Sequence, residues 1–187
     1  MEEISIVCEE ISKVFEISSW VISFCKYSIE SELSEEPMKQ PQVPETYPLS
    51  LPHGWEVGFT LAKEARSRAY APYSQFLVGF ALHHQGTNLF TPGANIENAS
   101  YGATICAERS AVVSALGSRG KETYDYGVLV TDAEPPAVPC AMCLQVLAEI
   151  CGADFLVIVC NMQGPVKALT ISELLPYSFT EIPPQGT

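Results

Sequence analysis

Four residues have types and spacing that could do chemistry together. Cys140 and Cys143 stand in Pro-Cys-Ala-Met-Cys, and Cys106 stands in Cys-Ala-Glu-Arg, with Glu108 two residues beyond it. Zinc commonly takes paired thiolates at this spacing. Three residues apart on a helix, Cys140 and Cys143 share one face. Three thiolates leave a tetrahedral ion one open position, as catalytic zinc sites do and closed structural sites do not. A carboxylate beside such an ion is suited to carrying protons to and from water. The expectation is one Zn2+ per chain, held by Cys106, Cys140 and Cys143, with Glu108 as the proton carrier.

Two helix starts must bring these residues together. Residues 107–116 and 141–150 read as helices, each opening directly after a cysteine, with Gly117 and Gly152 as stops. Three thiolates around a dication leave a charge of −1, which weakens the ion as a Lewis acid. Helix N-termini offset that charge by about 0.3–1 kcal/mol each and favour the thiolate form. Arg109 is placed to hydrogen-bond the sulfurs from outside the ligand set. Residues 55–69 read as a further helix. Residues 76–83, 88–94, 127–131 and 155–160 read as strands, with Gln85-Gly86 turning the first into the second. Strands alternating with helices of this length imply a sheet covered on both faces.

Composition narrows the partners. The 187 residues carry a formal charge of −12, which disfavours phosphate backbones and argues for a small uncharged substrate over nucleic acid. Seven cysteines in a chain of this length fit a reduced compartment with a metal site better than a disulfide framework. Cys8, Cys25, Cys151 and Cys160 read as apolar packing residues, and His83-His84 as a solvent-facing strand end. The N-terminus lacks the features of a secretory or mitochondrial leader, and the apolar stretch at 14–25 is too short to span a bilayer. The expectation is a soluble cytoplasmic protein without membrane contact. Residues 1–49 hold ten Glu and three Lys, and prolines at 37, 41, 44 and 48 break regular structure there. They read as an acidic N-terminal extension and Pro-rich linker, containing a short amphipathic helix, ahead of a domain at 50–187.

At these residues the chain resembles the cytidine deaminase family in its small homotetrameric class. The resemblance spans residues 54–180. It comprises Ala-Tyr-Ala-Pro-Tyr-Ser-x-Phe-x-Val-Gly at 69–79, Asn-x-Glu-Asn-Ala-Ser-Tyr at 95–101, Cys-Ala-Glu-Arg at 106–109, Pro-Cys-x-x-Cys at 139–143 and Glu-Leu-Leu-Pro-x-x-Phe at 173–179. It departs at Ala141, where the family usually carries Gly, and at Leu144, where it usually carries Arg. The resemblance implies a three-layer α/β/α fold with a central mixed sheet and hydrolytic deamination of cytidine and deoxycytidine. Glu108 would pass a proton from water to the base and on to the leaving amine. Asn95 and Glu97 would hold the ribose, and Phe76 would pack on the pyrimidine. The N–H of Ala107 and the carbonyl of Val138 would read the base edge. Tyr101 and Phe179 would complete a neighbouring subunit's pocket in a homotetramer. The alternatives are a related zinc deaminase acting on another aminopyrimidine, or an inactive zinc-binding interaction protein. The presence of Glu108 argues against the latter.

Overall fold

The computed structural model describes residues 50–179. The expectations for residues 1–49 lie outside the described residues. The elements are α1 (Trp55–Ser67), β1 (Gly79–His84), β2 (Phe90–Ala94), a 3-10 turn (Tyr101–Ala103), α2 (Ala107–Arg119), β3 (Tyr124–Val130), α3 (Ala141–Cys151), β4 (Leu156–Cys160), β5 (Pro165–Thr170) and α4 (Ile171–Leu174).

Five strands form one sheet in the order β2-β1-β3-β4-β5. Only β3 and β4 run parallel, joined through α3, and the other pairs are antiparallel. The sheet is therefore mixed, as expected. Strand periodicity divides its side chains between two cores. Phe80, Leu82, Leu129, Val157 and Val159 face α2 and α3, where they pack with Ala111, Val112, Leu144 and Leu147. Ala81, Val128, Val130, Ile158 and Cys160 face α1, where they pack with Ala62, Trp55 and Phe59. This is the three-layer α/β/α arrangement. Among the described residues no helix is long and apolar enough to cross a membrane.

Three sequence expectations change. First, α2 continues through Gly117 to Arg119, and the residue that leaves the helix is Gly120, at φ 76°. Gly117 has no left-handed backbone, so nothing stops the helix there. Second, β5 had no expected counterpart. It opens on Pro165 at the sheet edge, where a missing N–H is tolerated. It leads into α4 through a capping box, with the Glu173 N–H donating to Thr170 Oγ1 at 3.3 Å and the Thr170 N–H donating to Glu173 Oε2 at 2.8 Å. Third, His83 and His84 are buried rather than solvent-facing. Each meets a carboxylate through Nδ1: Asp125 at 2.6 Å and Glu122 at 2.5 Å, respectively. His83 also stacks on Tyr126, with ring centroids 4.3 Å apart.

The position of α2 depends on a close approach. A Cβ on Gly93 of β2 would overlap the Ala107 carbonyl oxygen and the Ala111 nitrogen. The first turn of α2, which follows Cys106 and carries Glu108, thus lies directly on the strand.

The two glycines predict opposite outcomes for one substitution. Gly117 is exposed with open space around it, so Gly117→Ala should stabilise the fold by about 0.5–1 kcal/mol. Gly93→Ala should destabilise it by about 1–3 kcal/mol through overpacking and weaken metal retention by displacing α2. Thermal melts of the two variants, with metal analysis of the second, check both.

Candidate active site

Cys106 and Cys140 occupy the same local position in different helices. Each is the N-cap, in extended conformation (φ −72°, ψ 159° and φ −69°, ψ 160°), of α2 and α3 respectively. Cys143 lies in the first turn of α3 and is fully buried. The three Sγ atoms lie within 4.8 Å of one another, and those of Cys140 and Cys143 are 3.6 Å apart. Tetrahedral zinc with Zn–S bonds of about 2.3 Å needs sulfurs about 3.8 Å apart, so this donor set fits the ion.

The electrostatics match. The Cys106 thiol is held well below its ordinary range, first by a hydrogen bond from Cys143 and then by Arg109. The Cys143 thiol is pushed up, because it gives that hydrogen bond and because it is buried. Arg109 Nη2 donates to the Thr104 carbonyl at 3.0 Å and to Cys106 Sγ at 3.6 Å, where it was expected. Its buried Nε has no partner among the described residues.

Glu108 lies in the first turn of α2 and is 4% exposed. Burial pushes its carboxyl up to about 7, the Cys106 charge adds to the rise, and its own backbone N–H opposes it. A dication on the thiolates would bring positive charge close by and draw it down from there.

One cavity of about 230 Å³ joins these groups to others. Cys106, Cys140 and Glu108 line it, as do Phe76, Asn95, Glu97 and Val138. Ser74, Thr104, Thr131 and Ala137 also line it, although sequence reading assigned them no role. Ser74 lies inside a quoted motif, whereas Thr131 and Ala137 arrive only through the path of the chain after β3.

Asn95 has extensive backbone commitments. Its Oδ1 accepts from the Val78 N–H at 2.9 Å, and its Nδ2 donates to the Phe76 carbonyl at 2.8 Å. It therefore pins the Phe76–Val78 segment to the end of β2, leaving one amide hydrogen uncommitted. Phe76 precedes β1 rather than opening it. Glu97 Oε2 accepts from the N–H groups of Tyr73 at 2.9 Å and Ser74 at 3.2 Å, and Oε1 accepts from the Ser74 hydroxyl. The hydroxyl bond, followed by these backbone bonds, holds its carboxyl below the usual range.

Ala107 is fully buried, and its N–H belongs to the first helical turn, which has no intrahelical acceptor. Tyr101 and Phe179 are outside this cavity and exposed, at 77% and 63%. Tyr101 meets Tyr73 edge-on, with centroids 6.1 Å apart. Phe179 is tied by its backbone to the Gln145 carboxamide at 3.1 and 2.5 Å. Leu144 is buried between α3 and the sheet, so the residue that departs from the family pattern fills core space.

The sulfur cluster predicts one tightly held zinc per chain. Elemental analysis should find it in the wild-type protein and find at least a tenfold loss of retained metal in Cys143→Ala. Full retention would remove Cys143 from the ligand set.

Comparisons with known proteins agree with this geometry. Residues 56–160 match the cytidine and deoxycytidylate deaminase zinc-binding region. The chain is 48% identical to the cytidine deaminase of Halalkalibacterium halodurans over 119 residues, covering 64% of this chain and 89% of that protein. It is 40% identical to that of Sporosarcina psychrophila over 120 residues, covering 64% and 87%. The crystal structure of cytidine deaminase from Burkholderia pseudomallei superposes with a TM-score of 0.63 at 39% identity, covering 69% of this chain and 100% of that one. With its zinc-binding region matched over more than half its length, this chain belongs to the cytidine and deoxycytidylate deaminase family.

Proposed function

We propose that this protein is a zinc-dependent deaminase that hydrolyses the exocyclic amine of free cytidine and deoxycytidine, giving uridine or deoxyuridine and ammonia. The observation that carries this reading is the juxtaposition, on one cavity, of a three-sulfur cluster able to hold a metal, a buried carboxyl and an aromatic ring.

When bound by Cys106, Cys140 and Cys143, zinc supplies a Lewis acid that lowers the pKa of water from 15.7 toward about 7. Glu108 takes a proton from the attacking water and delivers it to N3 of the base as the oxygen adds to C4. It then carries the remaining proton of the added hydroxyl to the exocyclic nitrogen, and the C4–N bond breaks to release ammonia as the C4 oxygen becomes a carbonyl. A buried carboxyl on the same cavity as the three sulfurs suits both transfers, and such acid–base work contributes roughly 10²–10⁴-fold. Phe76 packs on the pyrimidine ring. The carbonyl of Val138 accepts from the amino group, and the N–H of Ala107 donates to O2. Glu97, held ionised, accepts a hydrogen bond from the sugar 3′-hydroxyl, which cytidine and deoxycytidine share, and repels a phosphate on that oxygen. Asn95 holds the Phe76 segment and presents its remaining amide hydrogen to the sugar.

We further propose a homotetramer working in a reducing, cytoplasmic setting, with Tyr101 and Phe179 reaching a neighbour's pocket. Their exposure in the single chain and their position outside its own cavity support this. Aromatic groups from a second chain would exclude water and strengthen the electrostatics inside.

Three measurements test this reading. Glu108→Gln should keep fold and zinc yet lose at least a hundredfold in turnover of cytidine, followed by ultraviolet absorbance. Wild-type protein should act on cytidine and deoxycytidine and show little activity on deoxycytidylate or single-stranded DNA. Light scattering should give the mass of four chains, and an active monomer would overturn the shared site.

A further inference from the structure

Ser74 stands between the two ends of the cavity. A hydroxyl has one hydrogen to donate and two lone pairs to accept with. Here it donates to Glu97 Oε1 and accepts from the Phe76 N–H at 3.0 Å. One side chain therefore touches the carboxylate assigned to the sugar and the backbone of the ring assigned to the base. The turn between them is tightly held. Gln75 lies in the left-handed region at φ 58°, its N–H donates to the Ala71 carbonyl at 3.1 Å, and its side chain donates to the Pro72 carbonyl at 2.9 Å.

The backbone already fixes one oxygen of Glu97. Oε2 receives the Tyr73 and Ser74 N–H groups, whereas Oε1 has the Ser74 hydroxyl as its protein partner. The orientation of the carboxylate about Oε2 is consequently set by that side chain. Removing the hydroxyl leaves the carboxylate free to pivot about Oε2, without opening a hole in the core, because Ser74 is exposed.

We propose that Ser74 is a positioning residue, whose hydroxyl orients the Glu97 carboxylate toward the sugar 3′-hydroxyl. This rests on the nucleoside reading above. Its consequence is selective: Ser74 should matter in proportion to the sugar hydroxyl that Glu97 receives.

The experiment compares cytidine with 3′-deoxycytidine in wild type, Ser74→Ala and Ser74→Thr. A charge-assisted hydrogen bond is roughly twice as strong as a neutral one. Ser74→Ala should therefore raise KM for cytidine about tenfold, with kcat within about threefold. KM for 3′-deoxycytidine should change by less than about threefold. Ser74→Thr, which keeps the hydroxyl, should restore KM for cytidine to near wild type. Equal KM rises for the two nucleosides, or no rise for either, would overturn the role of Ser74 while leaving the deaminase reading intact. A wild-type protein inactive on both nucleosides would instead sink that reading, and the role of Ser74 with it. Should Ser74→Ala fail to fold, Ser74→Cys, with a weaker donor of similar shape, carries the same comparison.

Discussion

Two helices beginning at one point is the constraint from which the site follows. Cys106 and Cys140 take the same extended N-cap conformation, so the positive ends of α2 and α3 meet at the sulfurs. Negative charge is stabilised there because the first-turn N–H groups have no intrahelical partners. The same turn of α2 also carries Glu108, so the Cys106 sulfur and the Glu108 carboxyl cannot be moved independently. That turn is in its place because Gly93 lets the helix backbone rest on β2.

Around this fixed centre, the rest of the cavity is assembled from one side of the sheet. The backbone of the Phe76–Val78 segment is clamped by Asn95, and Glu97 is clamped by the turn at Tyr73 and Ser74. Segments before β1 and after β2 thus brace each other where neither is regular structure. Isolated bridges, Tyr70 with Ile96 and Ile96 with Ile105, run the chain from this brace to Cys106. A change at Asn95 would consequently be felt at the ring as much as at the sugar, which makes its two roles hard to separate by mutation.

At the end of β1 away from the cavity, the chain buries polar groups. His84 bonds Glu122 and Thr91, and His83 bonds Asp125 and the Thr87 carbonyl. These pairs satisfy polar atoms whose burial would otherwise cost about 1–3 kcal/mol each. They join the β1–β2 turn to the start of β3, and so stiffen the strands that present the site at their other ends.

The amino-acid sequence by itself determined the three-cysteine cluster and the order of helices and strands from α1 to β4. Cysteine spacing, a helix following each cysteine, and a glutamate two residues beyond a ligand are local relations that chain geometry preserves. Sheet layering was legible for the same reason, since periodicity records which face is buried. Non-local pairing was not legible. The burial of His83 and His84 depends on carboxylates about forty residues away, and β5 is a strand because β4 offers it an edge. The length of α2 turned on which glycine takes positive φ, and that is set by packing after the helix. The two hydrogen bonds of the Ser74 hydroxyl, one given to Glu97 and one received from the Phe76 N–H, needed two segments brought together. Only the tertiary structure decides such contacts, because a hydrogen bond between distant residues leaves no period or spacing in the chain.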